Sequence, residues 1–184
     1  MSVNAVNSAG VNPWQQRNDA EKTGKGDGGF DRKVMTCVSA GGQKCMLRSD
    51  ALMSYASPQT GESVNIYRAD NYSRENPVYV IMGLDAEGNE FRKEIDASKI
   101  NPAHCSYNEL MVLNVENGHT SDSDRLHAAV VRDKAQAGSL FDQKNYLMYI
   151  QKVMNDQKLM GNWASYLSYG KWMESLERAQ MRFR

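Results

Sequence analysis

A chain of 184 residues with 22 basic and 22 acidic side chains carries no net charge, and so lacks the basic excess with which nucleic-acid binders neutralise phosphates. Its apolar fraction of 41% and charged fraction of 24% are ordinary for a soluble globular protein. No run approaches the roughly 18 apolar residues needed to cross a bilayer, and the length suits one well-packed domain plus some loosely held sequence.

Residues 1–32 read as a disordered tail. Asn, Ser, Gly and Ala dominate, and Trp14 and Phe30 are the only aromatics, too little apolar surface to offset the entropy of ordering. The start also lacks the early positive charges and apolar core of a secretory signal, which makes the cytoplasm the expected location. Gly24, Gly26, Gly28 and Gly29 neither follow a strand nor open a helix, the context a phosphate-binding loop requires.

An α+β core is expected over residues 33–138. Lys33 to Arg48 reads as two short strands around Ala40-Gly41-Gly42, because glycine pairs supply the positive φ of tight hairpins. Pro58 and Gly61 break residues 49–63 into a loop, and Val64 to Tyr67 alternates as a strand. The window Asn76 to Asn114 is the most legible. Val78 to Leu84 is rich in β-formers, Asp85 to Asn89 fits a type I turn closed by a glycine bulge at Gly88, and Glu90 to Ile95 alternates with one wet face, as on a strand near an edge. Asn101-Pro102 marks a loop, Ser106 and Glu109 form a capping-box pattern, and Leu110, Met111, Leu113 and Val115 give a helix over about 106–117 its apolar side. Gly118 stops it.

Asp124 to Ala137 reads as a modest helix with Leu126, Val130 and Val131 on its apolar side. Residues 139–184 read as a helical hairpin packed on the core. Ser139 or Asp142 caps the first helix, with Tyr146, Leu147, Ile150, Val153 and Met154, and Gly161-Asn162 separates it from the second, with Trp163, Tyr166, Leu167, Met173 and Leu176 at helical spacing. The β segments come first and the helices later, which defines the fold class as α+β: a small, mainly antiparallel sheet followed by helices.

The candidate chemistry is thin. His104-Cys105 invites a thiol–imidazole reading, and Cys105 lies beside a helix start that could lower its pKa. Against it, neighbouring loop side chains often diverge, and a small residue suits a helix entry. Three cysteines, an odd and sparse set, argue for reduced thiols rather than a disulfide framework; Cys37 and Cys45 form a redox-dependent pair only if both face one way across their hairpin. Their seven-residue separation does not suit a zinc knuckle, and no metal or cofactor is expected. Asp122-Ser123-Asp124 resembles the start of a calcium loop, yet His127 and Asp133 stand where the pattern needs Gly and Glu, so helix capping is the better job for it.

The C-terminal hairpin carries the binding hypothesis. Met148, Met154, Met160, Met173 and Met181 lie there beside several aromatics, and methionine, tryptophan and tyrosine favour adaptable interfaces. Tyr149, Tyr169 and Trp172 fall off the main stripe, so with Trp163 and Met173 they are the expected interaction residues, the partner being another protein or a second copy. The opposing reading is that the sheet covers one side and that isolated exposed aromatics are normal.

The window from Tyr72-x-x-Glu-Asn-Pro77 through the Asp85-x-x-Gly88 turn, the Asn101-Pro102 loop and the short helix resembles a group of small uncharacterised proteins from clostridial, gut-type Firmicutes. The resemblance spans residues 64–116. It implies a bacterial origin and a domain of this shape, and it brings no activity, ligand or site residue.

Three functions remain from different classes. The leading one is a non-enzymatic interaction or structural protein. A flagellar-type export substrate, leaving the cell without a cleaved signal, is the second, suggested by a small polar tail with no acidic residue before Asp19. A thiol enzyme or redox sensor built on Cys105 and His104 is the third.

Overall fold

A computed structural model describes residues 34–38, 42 and 44–182; the expected tail lies outside them. Two antiparallel strands, β1 (Val34–Val38) and β2 (Lys44–Arg48), form a ribbon. A four-stranded antiparallel sheet follows in the order β3-β4-β5-β6, from β3 (Met53–Ala56), β4 (Ser63–Arg68), β5 (Val78–Leu84) and β6 (Glu90–Asp96). Four helices complete the α+β fold: α1 (Tyr107–Glu116), α2 (Asp122–Ala135), α3 (Tyr146–Leu159) and α4 (Trp163–Arg182), with α3 and α4 forming a hairpin. None of the described helices is long and apolar enough to cross a membrane.

Strand β6 ends the sheet, as its wet face predicts. Strand β3 is a correction, since Pro58 and Gly61 had placed residues 49–63 in a loop. The two breakers serve only the β3–β4 turn, where Gly61 takes φ 76°, while Met53 to Ala56 pair with Ser63 to Ile66. The β5–β6 turn has the expected form: Gly88 N–H donates to the Asp85 carbonyl, Asp85 N–H to the Asn89 carbonyl, and Gly88 has φ 82°.

Register places Met53, Tyr55, Val64, Ile66, Tyr79, Ile81 and Ile95 on one sheet face, packed on the helices. The opposite face of β4 meets the ribbon through polar side chains. Met46 N–H donates to Ser63 Oγ (3.0 Å), Arg48 N–H to Asn65 Oδ1 (2.7 Å), and Asn65 Nδ2 to the Met46 carbonyl (3.0 Å). A strand edge carries unpaired backbone groups that would cost free energy if buried, and on β2 these two buried side chains take them. Cys45 of β2 is buried and disulfide-bonded, so the expectation of reduced thiols fails there; its Cα partner across the ladder is Cys37.

Helix α1 is the hub. Its capping box forms in full: Ser106 Oγ accepts from Glu109 N–H, and the Glu109 carboxylate accepts from Ser106 N–H at 2.7 Å. Leu110, Met111, Val112 and Leu113 are all buried, so the helix is enclosed on every side rather than along one stripe. Helix α2 starts two residues earlier than expected, capped by Ser121 with Asp124 closing its own capping box. Its buried side is Ala128, Val131, Arg132 and Ala135; Leu126 and Val130 face solvent, which corrects the expected stripe. Helix α3 is capped by Asn145, not Ser139 or Asp142. Those two residues shape the preceding loop: Ser139 Oγ and Leu140 N–H donate to the buried carboxylate of Glu62, tying the loop to the β3–β4 turn.

Candidate functional site

The thiol–imidazole pair does not form. Cys105 N–H donates to the Lys144 carbonyl and Lys144 N–H returns a bond to Cys105, a short extended bridge that turns successive side chains to opposite sides. Cys105 is therefore buried while His104 is exposed, and among the described residues no hydrogen bond joins them. Burial, and secondarily the charge of Glu109, pushes the Cys105 thiol far above its ordinary value. The nearby helix start, expected to lower it, is outweighed by loss of solvent.

The five expected interaction residues divide. Tyr169 and Trp172 are only 4% and 3% exposed and belong to the core, which corrects their assignment. Trp172 Nε1–H donates to the buried Asn114 Oδ1 at 2.7 Å, and Tyr169 packs on His127 with ring centroids 4.3 Å apart. They fall off the main stripe because α4 is contacted from two directions, by α3 and by the α1–α2 layer. Tyr149 and Met173 are half-buried against the core, and Lys152 Nζ lies over the Tyr149 ring at 4.8 Å. Trp163 alone is well exposed, at 56%.

Trp163 has company: Met160, counted among the methionines of the binding hypothesis, and Leu159 and Leu167, which the sequence did not mark as exposed. Leu159 (87% exposed) and Met160 (75%) end α3, and Leu167 (60%) lies one turn beyond Trp163 on the same side of α4. Gly161-Asn162 makes the reversal, with Gly161 at φ 72°. Four large apolar side chains thus gather at the free end of the hairpin, with Tyr166 edge-on to Trp163 at 5.9 Å. The available signal was the pair Leu159-Met160 directly before a turn, a place from which side chains do not reach a core stripe. The nearest acidic group on α3, Asp156, is neutralised by Lys134 at 2.7 Å.

A second constellation links distant segments. His119 Nε2 lies 2.8 Å from Ser175 Oγ, and its Nδ1 lies 3.4 Å from Asp124 Oδ1. The order Ser–His–Asp is that of a hydrolytic triad, but two features oppose a nucleophile. The Ser175 hydroxyl lies 2.6 Å from the Trp172 carbonyl, an acceptor that competes with the imidazole for its one proton. Ser175 also sits inside the 20-residue helix α4, where backbone N–H groups are engaged with carbonyls four residues back and cannot form an oxyanion hole.

A third cluster is buried and polar. Arg132 Nη2 donates to Ser57 Oγ at 2.7 Å, its guanidinium stacks over Tyr107 at 5.5 Å, and Tyr55 Oη donates to Asn108 Oδ1 at 2.9 Å. Burial raises the Tyr107 hydroxyl to about 12 in spite of the Arg132 charge. These contacts join the sheet edge to α1 and α2. Among the described residues no three His, Cys, Asp or Glu side chains are placed to hold a metal ion. No family model, curated protein or solved structure matches the chain.

Proposed function

We propose that this chain is a non-enzymatic interaction protein whose contact surface is the apolar end of the α3–α4 hairpin. The supporting observation is the exposure of Leu159, Met160, Trp163 and Leu167 within nine residues of one turn. Single exposed apolar residues are normal, but a group of this size, holding a Trp and a Met, is the composition of contact surfaces. A bacterial origin, implied by the likeness of residues 64–116 to small clostridial proteins, belongs to the same reading.

The test is multi-angle light scattering and affinity capture with the full chain, beside a variant carrying Leu159→Ser, Met160→Ser, Trp163→Ser and Leu167→Ser. The expected result is self-association or a captured protein, lost in the variant while its circular dichroism spectrum and thermal midpoint stay the same. A full chain that is monomeric at high concentration and captures nothing sinks the reading. So does association that survives in the variant.

A further inference from the structure

We propose that the end of the α3–α4 hairpin is a wedge that enters the interface of an anionic lipid bilayer without crossing it. The inference rests on the reading that this end is the contact surface, and adds a lipid surface to the protein partners of that reading. What carries it is where the lysines stand relative to the apolar tip.

Along α4, Trp163, Leu167 and Lys171 recur every four residues and so share one side of the helix. Along α3, Lys152 precedes Leu159 by two turns on one side. At a rise of about 1.5 Å per residue, Lys171 lies about 12 Å from Trp163 and Lys152 about 10 Å from Leu159. These two exposed lysines, one on each helix, therefore stand at nearly one height. Between them and the turn, the apolar step from Trp163 to Leu167 is about 6 Å deep.

The depth matters because an amphipathic element sinks about 5–10 Å into the boundary between headgroups and acyl chains. Side chains of the tip reach the acyl edge, while lysines about 10–12 Å behind it meet the phosphates. Trp163 and the edge-on Tyr166 are the aromatic types enriched at this level.

The charges around the tip favour an anionic surface. Lys152, Lys158 and Lys171 are exposed on the two helices, and Lys134 joins them from α2. Lys152 Nζ rests over the Tyr149 ring, a contact that keeps its charge. Against them stand Asp156, held by Lys134, and the exposed Asp133 of α2. Glu174 shares the side of Trp163 but lies about 16 Å along the axis, with Arg178 one turn on, so it stays clear of the surface. The tip is thus positive, although the whole chain is neutral.

A protein partner would need an acidic group matched to each lysine, and lysine is depleted from protein interfaces. A bilayer carries its phosphates in one plane. Two lysines at one height meet that plane together in any orientation about its normal.

The test is cosedimentation of the full chain with vesicles of phosphatidylcholine alone, and of phosphatidylcholine with about 30% phosphatidylglycerol. Tryptophan emission is followed in parallel. The expected result is binding to the anionic vesicles, with a blue shift that Trp163→Phe removes, and little binding to the neutral ones. Binding should fall about tenfold or more when Lys152→Gln and Lys171→Gln are combined, and be lost when Trp163→Ser and Leu167→Ser are combined. All four positions are exposed, so both double variants should keep the wild-type circular dichroism spectrum.

Absence of binding to anionic vesicles overturns the proposal, and so does binding that either double variant retains in full. Equal binding to neutral vesicles overturns it too, since the lysines then contribute nothing. A chain that self-associates or captures a protein but ignores vesicles overturns this inference and leaves the proposed function standing. Vesicle binding without either kind of association supports this inference and tells against the protein reading alone.

Discussion

The indole N–H of Trp172 donates to the side-chain carbonyl of Asn114 at 2.7 Å, with both residues buried where α4 crosses α1. One bond between two helices 58 positions apart in the chain decides that this tryptophan is structural rather than a contact residue. Trp172→Phe keeps most of the apolar volume and orphans the Asn114 oxygen. The expected cost is about 1–3 kcal/mol in urea unfolding, and Trp172→Ala should cost more, about 3–5 kcal/mol. Trp163→Phe, at the exposed end of the same helix, should stay within about 0.5 kcal/mol of wild type.

Gly83 on β5 lies opposite Val64, so close to the neighbouring strand that an added Cβ would collide with the Ser63 carbonyl. That carbonyl is part of the sheet backbone and cannot turn aside. Gly83→Ala should therefore destabilise by about 1–3 kcal/mol or more, as overpacking does. Gly88→Ala and Gly161→Ala have open space around the new Cβ but positive φ, and should cost about 1–2 kcal/mol through the left-handed backbone instead. Chemical denaturation of the three variants compares the two mechanisms.

Cys105 should resist modification. Its thiol is buried and held protonated by loss of solvent and by Glu109, and alkylation requires the thiolate at an accessible sulfur. Iodoacetamide at neutral pH should label it far more slowly than free cysteine, and at a normal rate once urea unfolds the chain. Fast labelling of the native protein would return the thiol-enzyme reading to consideration.

Acid should unfold the protein by way of its helix caps. Burial opposes the charge of Glu109, but the Ser106 amide and hydroxyl, Gln143 and Lys93 outweigh it and hold the carboxyl below its ordinary value. At Asp96 burial is likewise outweighed, by Ser98 and Lys99. Carboxyls lowered in the folded state bind fewer protons there than when unfolded, so their contribution is present above the unfolded value, about pH 4, and is lost as pH falls through the folded one. Urea midpoints should be flat through neutrality on this account and drop below about pH 4. Ser106→Ala removes the hydroxyl that donates to the Glu109 carboxylate and accepts from the Glu109 amide, while the backbone N–H at position 106 still donates; it should lower stability by about 1 kcal/mol near neutrality and reduce the acid drop.

Local order was largely legible, because capping, turn and alternation signals act within a few residues. Ser106-x-x-Glu109, Asp85-x-x-Gly88, the alternation from Glu90 to Ile95 and the Gly161-Asn162 reversal each satisfy backbone needs on the spot, and together they determined the α+β class and the order of most elements. What a side chain faces depends on elements far away in sequence, and only the tertiary structure decided it. The stripe of α2 kept Val131 but left Leu126 and Val130 in solvent, and Arg132, a charged residue, is buried where Ser57 and the Tyr107 ring can hold it. Tyr169 and Trp172 went into the core because α4 has neighbours on two sides. His119, Asp124 and Ser175 met because a loop, a cap and a helix middle converge, and no spacing rule connects positions 56 residues apart. The exposed end of the hairpin is the complement of that packing: Leu159, Met160, Trp163 and Leu167 are apolar residues that it leaves in solvent.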